Sequence, residues 1–112
     1  MEKIVTQTLL YDFYGELLTE HQKRIYENVV FNDLTLSEAA EDAGISRQGV
    51  HDLIKRCTRT LNEYEEKLHL IERFIETQRQ AERIGDLIRE YRKTQDETLL
   101  TRVEEISETM KE

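Results

Sequence analysis

The apolar positions of this chain recur at helical spacing almost from end to end. In the first segment, Ile4 to Leu18, the residues Leu10, Phe13, Tyr14 and Leu17 fall three or four apart, which places them on one stripe of an amphipathic helix. The stretch from Glu20 to about Phe31 repeats the pattern with Ile25, Val29 and Val30 inward. A shorter segment, Leu36 to Ala43, follows. From Val50 the apolar residues march at heptad spacing through Ile54 (or Leu53), Cys57, Leu61, Tyr64, Leu68, Ile71 and Ile75, the pattern of a helix packed along its length. The stripe lapses near Gln78 and resumes at Ala81, Ile84, Ile88 and Tyr91, and a last segment carries Leu99 or Leu100, Val103, Ile106 and Met110. The pattern predicts six helices and no strand.

Polar residues mark where these helices begin and end. Thr19 with Gln22, and Thr35 with Glu38, have the spacing of capping boxes, in which the hydroxyl accepts from an orphan N–H and the longer side chain reaches back. Asn32 and Asp33 make a break, as do Thr94 to Glu97. Gly44 suits a helix C-terminus, because glycine takes positive φ without a Cβ clash. Ser46 suits the next N-cap. Gly49 stands where a helix former is expected.

The chain has 112 residues, no proline and four glycines, so its helices can be long. From Arg47 to Thr77 there is no proline and no glycine apart from Gly49, and the spacing predicts one continuous helix of 31 residues. Such a helix spans ~46 Å, against a radius of gyration of about 13 Å for a domain of this size. Its distal stripe, Leu61, Tyr64, Leu68, Ile71 and Ile75, would then face water unless the C-terminal helices and a second subunit cover it. A homodimer through these five residues is the expectation. The competing reading is a helix broken near Thr58 to Asn62, giving a closed monomer. The organisation expected is a helix-turn-helix bundle over residues 1–60 and a helical packing region over 61–112, joined as one continuous unit.

The most informative stretch is Leu36 to Lys55, LSEAAEDAGISRQGVHDLIK. Two short helices joined by a glycine turn are the helix-turn-helix plan. Ala40 is small where the helices cross, and Ile45, Val50 and Leu53 lock the second onto the first. Ser46, Arg47, Gln48, His51, Asp52 and Lys55 are left outward, where such motifs reach base edges. Arginine and glutamine there match guanine and adenine respectively.

Charge qualifies this picture. The net charge is −8, which disfavours phosphate binding by the chain as a whole. The deficit is unevenly spread: residues 1–45 carry −6, residues 60–112 carry −5, and residues 46–59 carry +3, from Arg47, Lys55, Arg56 and Arg59 against Asp52. The candidate nucleic-acid contacts are therefore Ser46, Arg47, Gln48, His51, Lys55, Arg56 and Arg59. Nothing else assembles a site. His21, His51 and His69 lie far apart and none pairs with a cysteine at zinc spacing. Cys57 lies on the apolar stripe, as a packer rather than a nucleophile. There is no phosphate-cradling glycine loop or nucleophile motif, so neither a metal, a cofactor nor an enzymatic activity is expected. Residues Met1 to Gln7 lack the apolar core of a leader, no run approaches a membrane span, and a single cysteine excludes an internal disulfide, which together point to the cytoplasm.

Leu36 to Lys55 resembles the region 4 DNA-reading module of bacterial sigma factors. A fuller resemblance, through YDFYGELLTEHQ (Tyr11 to Gln22), DLTLSEAAEDAGISRQGVHDLIKR (Asp33 to Arg56) and LNEYEEKLHL (Leu61 to Leu70), is to the YlxM-type family (UPF0122), encoded beside the signal recognition particle GTPase. The chain departs from the family pattern at Gly49, His51 and Leu53, where alanine, tyrosine and asparagine are usual. The resemblance implies an all-α fold: a sigma-region-4-like helix-turn-helix bundle followed by a long helix and a C-terminal helical hairpin. It also implies a dimer and a role in the signal recognition particle pathway, through its RNA, its GTPase or both. The alternatives are a dimeric DNA-binding transcriptional regulator and, more weakly, a protein adaptor that uses the fold only as scaffold.

Overall fold

The computed structural model describes residues 3–112, with side chains from Val5 onward. Met1, Glu2 and the side chains of Lys3 and Ile4, where the first segment begins, lie outside the described residues. Among the described residues there are six α-helices and no strand: α1 (Lys3–Tyr14), α2 (Glu20–Val30), α3 (Leu36–Ala43), α4 (Arg47–Leu68), α5 (Leu70–Thr94) and α6 (Thr98–Met110). A 3-10 turn, Gly15–Leu17, ends α1. The chain divides into two compact units, residues 1–71 and 72–112. This boundary differs from the expected one at 60/61 by residues 61–71, which pack in the first unit.

The first unit is built on α4. Its inward stripe, Val50, Leu53, Cys57 and Leu61, is buried, and α1, α2 and α3 each pack against this helix. Both predicted capping boxes form: Thr19 Oγ1 accepts from Gln22 N and Thr35 Oγ1 from Glu38 N, each at 3.1 Å, with both long side chains returning the bond. From α1 the core receives Leu10 and Tyr14, and from α2 Ile25 and Tyr26. Leu17, expected inward, is 55% exposed, and Leu18 takes its place. Helical spacing ends there: Leu18 follows the 3-10 turn in extended backbone, φ −83 and ψ 155, so the stripe of α1 no longer decides which side chain faces inward. Gly15 permits this turn, because a Cβ there would lie 2.9 Å from the Tyr11 ring. That ring is held by stacking on Tyr26 at 5.5 Å and by a hydrogen bond from its hydroxyl to Glu27.

The expected continuous helix from Arg47 to Thr77 does not form, and the break is not at Thr58 to Asn62. It falls at His69, which adopts φ 57 in the left-handed region, a conformation costing about 1–2 kcal/mol for a residue with a Cβ. Side chains from the bundle compensate. Tyr14 Oη accepts from Leu70 N at 3.2 Å, and Glu65 Oε1 accepts from Ile71 N at 2.9 Å. Tyr14 in turn donates to Glu65. The opening N–H groups of α5 are thus satisfied by partners that a straight helix would not need.

The second unit is a helical hairpin. Arg79 and Arg83 of α5 and Glu105 and Ile106 of α6 line one groove between the two helices. Gln95 (φ 59) makes the turn, and Asp96 Oδ1 accepts from Thr98 N at 3.0 Å and Thr98 Oγ1 at 2.7 Å, which caps α6. α5 runs through Gln78 without interruption.

Candidate nucleic-acid interface

The helix-turn-helix consists of α3, the turn Gly44–Ser46 and the start of α4. Gly44 takes φ 70. Ile45 N donates to Ala40 O at 3.1 Å and Gly44 N to Glu41 O at 3.4 Å, the paired bonds of a Schellman ending. Ser46 Oγ accepts from Gly49 N at 2.9 Å and starts α4. Ala39 and Ala40 are buried where α3 meets α4. On the outside, Arg24 of α2 forks onto Asp42 of α3 through two bonds of 3.0 Å, and Asn28 adds a third of 3.2 Å. The motif is therefore clamped to the bundle, with its second helix held by its apolar face and free on the other.

Every expected contact residue is exposed: Ser46, Arg47, Gln48, His51, Lys55, Arg56 and Arg59. At ~100° per residue, Gln48, Asp52, Lys55 and Arg59 fall within about 60° of one another around α4, with Arg47 and His51 on one flank and Arg56 on the other. The surface carries two shallow grooves. One is lined by Leu36, Arg47, Gln48 and His51; the other by Gly49, Asp52, Lys55, Arg56 and Arg59. Ser46 differs from the rest, because its Oγ already caps α4.

Cations elsewhere are of two kinds: Lys67, Arg73, Arg83, Arg92, Lys93 and Arg102 enter no ion pair among the described residues, whereas others are held. Lys23 pairs with Glu16 at 3.0 Å, Arg24 with Asp42 at 3.0 Å and Arg79 with Glu76 at 3.2 Å. Arg47, Lys55, Arg56 and Arg59 enter no ion pair among the described residues. A cation without an internal carboxylate partner loses no existing pair when it meets phosphate. The acid on this face, Asp52, accepts from Gln48 Nε2 at 3.0 Å and lies 3.6 Å from His51 Nδ1. That pairing went unread in the sequence, although four-residue spacing on one helix signals it.

The five residues expected at a subunit interface do not form one exposed stripe. Leu61 is 0% exposed within the chain itself, and Ile71 is also buried. Tyr64 is half-buried, its ring 6.1 Å from that of Tyr14. Leu68 is 47% exposed and Ile75 is half-buried. The bend at His69 and the packing of α1 on α4 account for the change: Leu61 belongs to the core, not to a partner. Cys57 is buried, and burial pushes its thiol pKa up, as fits a packing residue. Among the described residues no cluster of three or more His, Cys, Asp or Glu is placed to hold a metal ion, and no helix is long and apolar enough to cross a membrane.

A glycine-turned pair of helices, clamped to an all-α bundle and presenting unpaired cations on the second helix, defines a helix-turn-helix protein. Residues 1–106 match the family of YlxM / p13-like helix-turn-helix proteins, UPF0122, and the chain belongs to it. Similar relatives are a UPF0122 protein of Thermoanaerobacter sp. (strain X514), 43% identical over 108 residues, covering 94% of this chain and 91% of that one; one of Caldanaerobacter subterraneus subsp. tengcongensis, 48% identical over 81 residues, covering 72% and 69%; and one of Bacillus cereus (strain AH187), 43% identical over 90 residues, covering 80% and 82%.

Proposed function

We propose that this protein is a non-enzymatic, cytoplasmic nucleic-acid-binding regulator that acts through the outward face of α4. The observation that carries this reading is the set of four cations, Arg47, Lys55, Arg56 and Arg59, left without ion pairs on the second helix of the motif while the rest of the chain is acidic. The acidic remainder repels phosphate outside this face, so the footprint is small and the binding weak. A narrow footprint suits an accessory factor of the signal recognition particle pathway, working on that particle's RNA, its GTPase or both, better than a general DNA binder. A dimeric DNA-binding regulator is the second reading, favoured by the position of Arg47 and Gln48 in the first turn of α4, where base edges are reached. The proposed homodimer would use Leu68 and the edge of Tyr64, not Leu61 or Ile71, which are buried.

Titration of the full chain with signal recognition particle RNA, with its GTPase and with duplex DNA, at two salt concentrations, tests the reading. With three or four phosphate contacts, log K on duplex DNA falls against log salt with a slope of about −3 to −4. Unchanged affinity in the combined Arg47→Ala, Lys55→Ala, Arg56→Ala variant would overturn it. Binding of the GTPase alone, unaffected by those changes, would leave the motif as scaffold. For the dimer, light scattering should give about twice the 13.4 kDa of one chain, reverting to that mass in Leu68→Asp with helicity retained.

A further inference from the structure

The outward face of α4 contains a residue that a simple phosphate binder would not carry. Asp52 lines the same groove as Lys55, Arg56 and Arg59, so a phosphate drawn there by the cations also meets a carboxylate. Its side chain is 56% exposed, so burial does not hold it in place. What holds it is Gln48, one turn earlier, whose Nε2 donates to Asp52 Oδ1 at 3.0 Å. His51 Nδ1 lies 3.6 Å from the same oxygen.

This arrangement sets which way the Gln48 amide faces. An ionised carboxylate only accepts, so Gln48 turns its nitrogen, not its oxygen, toward Asp52. Its oxygen and its second N–H stay available to a ligand. An acceptor beside a donor on one planar amide complements the adenine edge, where N6–H donates and N7 accepts. The Asp52 charge has a second consequence. It opposes phosphate held by the neighbouring cations, so it weakens every complex in which no base edge is engaged.

Resting on the reading that α4 binds nucleic acid, we propose that Asp52 is a positioning and specificity-determining residue: it aims Gln48 at an exposed adenine edge and suppresses binding to phosphate alone. That edge is open in the major groove of duplex DNA and on unpaired bases of RNA, whereas the deep, narrow major groove of A-form RNA hides it.

The test uses the full chain and two probes, a randomised duplex DNA pool and an RNA hairpin pool with a randomised loop. Wild type should enrich sequences sharing an adenine, and the pool in which this happens identifies the source of the edge. Asp52→Asn keeps an acceptor but loses the charge, and its amide can turn either end toward Gln48. It should bind the unselected pools about threefold more tightly at low salt, less so as salt screens the charge, and should lose the adenine preference. Gln48→Ala should lose the preference without the gain in affinity. If Asp52→Asn matches wild type in both affinity and preference, while Arg47→Ala, Lys55→Ala, Arg56→Ala still weakens binding, this proposal fails and the broader reading stands. Failure of wild type to bind either pool would overturn both.

Discussion

The two units of this chain use similar helices to different ends. Among the described residues, the first unit buries twelve apolar side chains below a tenth exposure, from Leu10 to Ile71, whereas residues 72–112 bury only Leu87 and Leu99 to that degree. Ile75, Ile84, Ile88, Tyr91, Leu100, Val103 and Ile106 of the second unit remain half-exposed. The helices of the second unit also carry apolar stripes, less sharply segregated than those of α2, α3 and α4. They are fewer: a hairpin offers each stripe one neighbour, whereas α4 receives three helices around its stripe. Burial depends on how many surfaces converge, and so does the precision with which a face can be held. The candidate interface sits on the unit that can hold it.

The sharpest way to break this comparison is to empty the centre of the first unit. Leu61→Ala should cost about 2–5 kcal/mol, the range for a fully buried leucine, in a chemical denaturation followed by circular dichroism. Leu17→Ala, at an exposed position three residues past the end of α1, should cost less than ~0.5 kcal/mol. If the two variants unfold alike, Leu61 is not the core residue its burial implies and returns as a candidate for a subunit contact.

A smaller effect is expected at the bend. Tyr14→Phe removes the hydroxyl that accepts from Leu70 N and donates to Glu65, leaving both groups short of a partner in a part-buried site, at a cost of about 1–3 kcal/mol. Amide exchange at Leu70 and Ile71 should accelerate more than at Val50 or Cys57. Uniform acceleration would mean that the hydroxyl supports the whole bundle and not the break at His69.

Smaller again are the glycines within helices. Gly49 is helical, and a Cβ there would meet Ser46 Oγ at 3.1 Å; at Gly85 the nearest atom is the mobile guanidinium of Arg89 at 3.4 Å. Thr19–Gln22 and Thr35–Glu38 show that a capping hydroxyl accommodates a side chain three residues on. Alanine at either position should therefore stabilise, by up to about 1 kcal/mol, with Gly85→Ala gaining at least as much as Gly49→Ala. A lowered melting temperature for Gly49→Ala alone would show that the cap geometry, not helix propensity, governs the first turn of α4.

The smallest effect is on pH. The Thr35 N–H and hydroxyl hold the Glu38 carboxyl below its usual pKa, and the Thr98 hydroxyl and N–H do the same for Asp96. A carboxyl with a lowered folded-state pKa adds stability above the ordinary carboxylate range and loses it as pH falls through the lowered value. Acid titration should therefore loosen the starts of α3 and α6, one in each unit, and Glu38→Gln should flatten the first of these losses. The start of α2, capped by the uncharged Gln22, should show no such dependence.

Much of this was legible in the order of residues. Helix starts at Thr19, Thr35 and Ser46, the turn at Gly44 and the buried stripe Val50, Leu53, Cys57 depend on groups within a turn or two of one another, so local chemistry decided them. The outward cations of α4 followed from the same periodicity, because locking one face of a helix exposes the other. Three features were not legible, each for want of a distant partner. His69 breaks the long helix because Tyr14, 56 residues from Leu70, supplies an acceptor there. Tyr26 joins the core because the Tyr11 ring stacks on it. Leu61 turns inward rather than toward a second subunit because α1 packs against α4. Periodicity says which residues share a face; only the packed chain says what that face meets, because the same apolar stripe gains similar free energy against a neighbouring helix or a partner molecule.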